Sequence, residues 1–329
     1  MLSIDTTLLQ SKKNLLAFSA GVDSSALFFL LIQHNIPFDI AIVDYAVREQ
    51  SKKEIEHAQM LAKQYNLQCF TADAPKFESH FEANARNFRY DFFETLIKEH
   101  GYNNLLTAHQ LNDQLEWLLM RLTRGAGVSE LLGLEPVSPR KNYTLIRPLL
   151  DYSKAELHTY LETNRYPYFI DESNRDEKYE RNRFRKTFSD PLLAHYKEGI
   201  KRTFHYLRED KAHIKSEFET IWVEKALHIV HLGDARARVR AADLTLKQLG
   251  YLLSAAQRKE IEIHTSLVVG GVWAVAVHDN LLYIAPYLTT EMPKKFKERC
   301  RREKIPAKIR AYLYQEGIDP LALSNIHSP

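Results

Sequence analysis

Short apolar runs alternate with longer amphipathic ones through the first part of the chain, and this alternation limits the fold more than any single motif. The runs "LLAFS" (15–19), "DIAIVDY" (39–45), "QCFTAD" (68–73) and "LLTAH" (105–109) read as strands. Helical patterns fill 24–34, 51–65, 80–100 and 111–123. Strands joined through helices pair in parallel, so the expected class is α/β, a parallel sheet with helices on both faces. Ligands of such sheets bind beyond the carboxyl ends of the strands. Ser19 to Ser25, Asp44 to Arg48, Asp73 and His109 all fall at those ends.

From about Asp151 the pattern turns helical and charged, through "YSKAELHTYLETN" and the stretch 190–227. It changes again after His228. "SLVVGGVWAVAVHDNLLYIAP" reads as a hairpin turning at Asp279-Asn280. The expected organisation is therefore a first domain over 1–214, ending in a helical linker region, and a smaller α+β domain over 215–329. No apolar run reaches the length of a membrane span. "MLSIDTTLLQSKK" has its charges after its apolar residues, the wrong order for a secretory signal. Two cysteines, Cys69 and Cys300, make neither a disulfide framework nor a CxxC pair. These features together point to a cytoplasmic protein without a membrane partner. Oligomeric state is left open, with a homodimer as one arrangement.

Net charge is only +3, so nucleic-acid affinity has to be sought in how the charge is distributed. "KKFKERCRREKIPAKIR" (294–310) sets nine Lys and Arg against Glu298 and Glu303. A solvated helix face is the ordinary explanation of such a run; it is also what phosphate backbones require.

Between the first strand and helix lie Ser19, Ala20, Gly21, Val22, Asp23, Ser24 and Ser25. Small hydroxylated residues at such a junction leave backbone N–H groups where the helix dipole favours an anion. An ordinary N-cap made by Ser or Asp is the competing explanation. The loop lacks the GK[ST] ending of a Walker loop. Asp23 would repel a phosphate unless a cation lay between them, which points to Mg²⁺. "TAHQLNDQLEWLLMRLTRGAG" (107–127) supplies His109 just before a helix, with Asp113 and Glu116 three apart on a shared face. A solvated acidic face with a capping Asn is the alternative there. "EANARNFRYDFFE" (82–94) offers Arg86 and Arg89 among aromatics. "DESNRDEKYERNRFR" (171–185) offers Asp171, Ser173, Asn174, Arg181, Asn182 and Arg185, and arginines in a polar loop suit bidentate capture of phosphate or carboxylate.

Taken together, these pieces resemble the tRNA(Ile)-lysidine synthase family of the PP-loop ATP pyrophosphatase superfamily. The resemblance rests on "SAGVDSS" (19–25), "ARNFRY" (85–90), "TAHQLNDQLE" (107–116) with "RGAG" (124–127), "RPLL" (147–150) and "DESN…RNRFR" (171–185), in the family's order. It covers roughly the first two-thirds of the chain; the basic tail looks like the end of the family's C-terminal domain, far less specifically. The implied fold is a five-stranded-type parallel sheet of the PP-loop kind. The implied reaction joins free L-lysine to C2 of the wobble cytidine of the CAU anticodon of tRNA(Ile). The cytidine is first adenylated by ATP with release of pyrophosphate, and lysine then displaces AMP.

On this resemblance Ser19 to Ser25 bind ATP, and Asp23, Arg86, His109, Asp113 and Glu116 form the catalytic set, with Mg²⁺ on Asp23. Lysine's amine must be neutral to attack. With a pKa of about 10.4, only roughly one lysine in two to three thousand is neutral at pH 7. Asp113 and Glu116 are expected to hold the ammonium and take its proton. Arg181 and Arg185 are expected to contact ATP, lysine or tRNA. The C-terminal domain is expected to bind tRNA, because the methionine tRNA shares the CAU anticodon and must be told apart elsewhere.

Three positions depart from the family pattern. Ala20 replaces the second residue of SGGxDS, where a methyl restricts positive φ. Asn112 stands where the family usually has the first Asp of a DD pair. Tyr45 replaces a usual His, so no catalytic role is expected of it. A cytidine thiolase of the same superfamily is the nearest alternative, although Cys69 and Cys300 are a poor pair for thiolation. A non-catalytic nucleotide- or RNA-binding protein is the other.

Overall fold

The computed structural model describes residues 2–45, 49–77, 79, 81–170 and 180–327. The chain divides into two compact units, Met1–Arg208 and Glu209–Pro329.

In the first unit the alternation read from the sequence becomes β1 (Asn14–Ala17), α1 (Val22–Gln33), β2 (Phe38–Asp44), α2 (Glu49–Tyr65), β3 (Cys69–Asp73), α3 (Phe81–His100), β4 (Asn104–Leu106) and α4 (Leu111–Leu122). Two short elements follow, α5 (Val128–Leu131) and β5 (Val137–Pro139), then β6 (Thr144–Ile146), α6 (Lys154–Asn164), α7 (Glu180–Phe184) and α8 (Asp190–Ser216), whose last residues, from Glu209, belong to the second unit. The strands make one sheet in the order β3-β2-β1-β4-β6-β5. Five of them run parallel, and β5 pairs with β6 antiparallel at the edge.

Chain order departs in opposite directions from β1, to β2 on one side and β4 on the other. The β1–α1 and β4–α4 loops therefore open a crevice at this switch point, where such sheets bind ligands. α1 is apolar nearly all round, with Ala26 to Leu31 buried, because it packs between the sheet and α6. Phe28 anchors it, its ring 5.2–5.6 Å from those of Phe18, Phe29, Phe38 and Tyr65. Such aromatic contacts add about 0.5–1.5 kcal/mol each beyond area burial. α1 is thus held firmly enough for its N-terminus to act as a fixed platform.

The second unit is α+β. β7 (Phe218–Glu224) and β8 (Leu227–Leu232) form a hairpin, followed by α9 (Arg238–Gln248) and α10 (Ala255–Ile263). The chain continues through β9 (Ser266–Val269), β10 (Trp273–His278), β11 (Leu281–Pro286), α11 (Lys294–Arg302) and α12 (Arg310–Glu316). The antiparallel order is β7-β8-β11-β10-β9, and β10 and β11 meet at Asp279-Asn280. Neighbouring residues feed opposite faces, as strand pleating demands. Val230 and Ile284 pack with Leu246 and Ile261, whereas Ile229 and Tyr283 pack with Cys300 and Leu313. The basic run at 294–310 forms α11 and the turn beyond it: Phe296 and Cys300 face inward, while Lys294, Lys295, Lys297, Arg299, Arg301 and Arg302 are exposed. Among the described residues, no helix is long and apolar enough to cross a membrane.

Candidate active site

The β1–α1 loop does not cap its own helix. Gly21 occupies the N-cap position, and no side chain hydrogen-bonds the first turn. The serines serve the loop instead. Ser19 N–H donates to Ser24 Oγ (3.2 Å), the Ser19 and Ser24 hydroxyls pair at 3.0 Å, and Ser25 Oγ donates to Ala20 O (3.2 Å). Phe169 adds a clamp from the far side of the chain: its N–H donates to Ala20 O at 2.8 Å, and it forms an isolated parallel bridge with Gly21. Ala20 sits at φ +56° in the left-handed region despite its methyl, a cost of about 1–2 kcal/mol. Two hydrogen bonds on its carbonyl fix the conformation, and its side chain is fully buried.

The loop borders a cavity of about 180 Å³ whose lining includes Ser19, Asp23, Ser24, Arg89, His109 and Asp113. Burial, aided by the negative charge of Asp113, pushes the Asp23 carboxyl up to about 7. Its Oδ1 is buried with no hydrogen-bond partner among the described residues. Such an oxygen fits a divalent cation. Among the described residues, no three His, Cys, Asp or Glu cluster into a metal site, so most ligands would have to be phosphate oxygens and water, as Mg²⁺ prefers. Burial, together with Arg147, Arg181 and Arg89, pulls His109 down to about 4 against the opposing pull of Asp113. The ring is therefore neutral at pH 7, with Nδ1 3.0 Å from Thr107 Oγ1.

α4 begins with a capping box: Gln110 Oε1 accepts from Asn112 N–H, and Gln110 N–H donates to Asp113 Oδ2 at 3.0 Å. The other oxygen of Asp113 accepts from Arg181 Nη2 at 2.5 Å. Glu116, 1% exposed, accepts from Arg181 Nε at 2.8 Å and from Arg185 Nε at 2.5 Å. Two carboxylates and two guanidiniums thus close a box one turn into α4. Arg185 opens the π-helical segment Arg185–Ser189, an irregularity often found at functional sites.

Of the expected residues, Ser19, Asp23, Ser24, His109 and Asp113 line the cavity, whereas Ala20, Gly21, Val22 and Ser25 do not; Ala20 and Ser25 are fully buried, and Glu116 is joined to Asp113 through Arg181. Arg86 does not line the cavity. It is exposed and lies over the Tyr90 ring, 4.9 Å from its centroid, whereas Arg89 lines the cavity. Spacing offered a clue to this, because Arg89 lies four residues from both Ala85 and Phe93, which are buried. Tyr45 donates to Ala85 O at 3.3 Å. Arg48, Asp171, Ser173 and Asn174 lie outside the described residues.

The profile of the PP-loop domain family matches residues 3–192. The chain is 46% identical to a tRNA(Ile)-lysidine synthase of Campylobacter jejuni over 97% of both chains. It is 43% identical to that of Wolinella succinogenes (95% of this chain, 96% of the other) and 42% identical to that of Helicobacter pylori (94% and 90%). The chain belongs to the tRNA(Ile)-lysidine synthase family. Within the family's motif, Asn112 has a structural employment here. Its Nδ2 donates to Asp190 Oδ1 at 2.7 Å, and its Oδ1 accepts from Lys154 N–H at 3.1 Å. An aspartate at 112 would set two carboxylates against each other. The amide thus ties the start of α4 to the starts of α6 and α8.

Proposed function

We propose that the chain uses ATP to join free L-lysine to C2 of the wobble cytidine in the CAU anticodon of tRNA(Ile), in the cytoplasm, releasing AMP and pyrophosphate. The observation that carries this reading is the meeting of an uncapped helix N-terminus, Asp23 and Asp113 on one cavity, in a chain of this family.

In the first step the cytidine O2 attacks the α-phosphorus, and the bond to the bridging oxygen breaks. The electron pair leaves with pyrophosphate. Negative charge grows where the first turn of α1 points its dipole, and fixed donors stabilise it without reorganising. Arg89 supplies a cation in the lining of the cavity, and neutral His109 offers a hydrogen bond without adding charge. Mg²⁺ held by Asp23 would neutralise phosphate oxygens.

In the second step lysine's nitrogen attacks C2 of the adenylated cytidine, the C2–O bond breaks, and AMP leaves. Asp113 and Glu116 are the acceptors for the ammonium and its proton. Their present partners are guanidiniums, so lysine must displace one. Arg181, whose side chain is 48% exposed, swings into water at less cost than Arg185 at 16%.

We assign the catalytic role to residues 1–214 and tRNA binding to 215–329. The exposed cations of α11 suit a phosphate backbone. The test is transfer of labelled lysine, with ATP and Mg²⁺, onto a tRNA(Ile) transcript bearing CAU, alongside the methionine tRNA. Label on the first alone is expected. Absence of label on both would overturn the reading.

A further inference from the structure

α8 presents a surface that the motif-based reading of the site leaves unused. One side of the helix packs against α4, where Leu193 and Phe204 meet Leu111 and Leu115. α4 carries Asp113 and Glu116, and its Asn112 is bonded to Asp190 at the head of α8. The other side of α8 faces solvent. Positions 195, 199, 202 and 206 share one helical stripe, and His195, Gly199, Arg202 and Tyr206 are all exposed there. Tyr196 borders the stripe where the helix breaks, with φ −126° and ψ 20°.

Three features set this stripe apart from an ordinary wet helix face. Tyr196 is 64% exposed and Tyr206 58%, each ring set against the histidine before it, with centroids 6.1 and 5.9 Å apart. A lone exposed aromatic needs no explanation; two His-Tyr steps ten residues apart on one helix are a pattern. Glycine is unfavourable inside a helix, yet a methyl on Gly199 would meet nothing within 4 Å among the described residues beyond the helix's own backbone, so packing does not call for glycine. Charge is the third feature. Residues 181–208 hold eight Lys and Arg against Asp190 and Glu198, in a chain whose net charge is only +3. Arg181, Arg185, Lys197 and Arg208 are in ion pairs, while Arg183, Lys186 and Arg202 are exposed.

We propose that this stripe receives the anticodon loop of the tRNA: Tyr196 and Tyr206 stack on bases splayed out beside the wobble cytidine, and Arg202 meets the ribose-phosphate backbone where Gly199 lets it come close. The inference rests on the tRNA-dependent reading above. A loop whose cytidine reaches Asp113 lays its other nucleotides over the elements packed on α4, of which α8 is one. Single-stranded loops are held in this way, by aromatic faces that take any base and a cation that follows the backbone. At a helical rise of about 1.5 Å per residue, Tyr206 lies roughly 15 Å along the axis from Tyr196, enough for more than one unstacked nucleotide.

The experiment measures dissociation constants for two tRNA(Ile) transcripts bearing CAU, one intact and one abasic at the two anticodon nucleotides that follow the wobble cytidine. The proteins are the parent, Tyr196→Ala, Tyr206→Ala, the double variant, Tyr196→Phe and Arg202→Gln. Each alanine should weaken binding of the intact transcript about 5- to 150-fold, the usual loss for one stacked base, and Tyr196→Phe should stay within about twofold of the parent. On the abasic transcript the double variant should bind no worse than the parent. Arg202→Gln should weaken both transcripts alike and lower the slope of log Kd against log salt by about 1. KM values for ATP and lysine should stay within about twofold, whereas a structural role of the tyrosines would move them and weaken both transcripts equally. Unchanged binding of the intact transcript by the double variant, or an equal loss on the abasic one, overturns the inference. If the parent transfers no lysine to the intact transcript, the function proposed above fails instead.

Discussion

Glu116→Gln removes one negative charge from the carboxylate–guanidinium box and changes almost nothing in volume. In the parent, the Glu116 oxygens accept from Arg181 Nε, Arg185 Nε and, at 3.2 Å, Arg185 Nη2. Glu116 is 1% exposed and Arg185 16%, so this half of the box is shielded from water. Breaking a buried ion pair by removing one partner costs about 3–5 kcal/mol. Two factors reduce that figure here: Arg181 is 48% exposed and rehydrates, and the glutamine carbonyl still accepts one bond. A net loss of about 2–3 kcal/mol remains. For a folding unit of this size each kcal/mol moves the melting temperature by about 2–4 °C, so a fall of roughly 5–10 °C is expected in a near-UV circular dichroism melt at pH 7. Adding Arg185→Gln should cost less in this background than in the parent, with a coupling of about 1–3 kcal/mol. A fall below about 2 °C, with the KM for lysine raised, would refute the box and leave Glu116 as a vacant ammonium site.

Three other expectations test neighbouring groups. Asn112→Asp should destabilise by about 1–3 kcal/mol by setting two carboxylates together, and Asp190→Asn in the same chain should recover most of it in a urea titration. Asp23 titrates at about 7 when folded against 3.8 unfolded, so the folded state binds the extra proton and stability falls as pH rises through that window. Asp23→Asn should therefore raise the melting temperature more at pH 8 than at pH 4, while abolishing pyrophosphate release. Ala20→Gly relieves about 1–2 kcal/mol of left-handed strain, but loses a buried methyl worth about 0.8 kcal/mol and gains unfolded-chain freedom of about 0.4–1 kcal/mol. These offset one another, so its melting temperature should lie within a few degrees of the parent.

The alternation of apolar runs with amphipathic stretches was sufficient to place four of the five parallel strands, β1 to β4. β5 and β6 span three residues each with no helix between them to set them off, so the fifth parallel strand and the antiparallel edge were not legible. The phosphate loop could be read from its small residues and its position between a strand and a helix. What those residues touch could not. The Arg181–Glu116 bond joins residues 65 apart and the Asn112–Asp190 bond joins residues 78 apart, and only tertiary packing brings them together. The same holds for the clamp of Phe169 on Ala20, which lets a left-handed residue keep its methyl.

The carboxylate–guanidinium box sums to nearly zero charge, two negatives against two positives. If it receives lysine as proposed, such a box casts little field beyond its own walls and would gather a free amino acid by fit rather than by long-range attraction. The exposed cations of α11, proposed above to meet tRNA, would work in the opposite way, as a surface whose reach is set by the ionic atmosphere. Salt therefore separates the two substrates. Raising the ionic strength should loosen the hold on a polyanionic RNA steeply, with the slope set by the number of phosphates met, while the concentration of lysine needed for half-maximal rate barely moves.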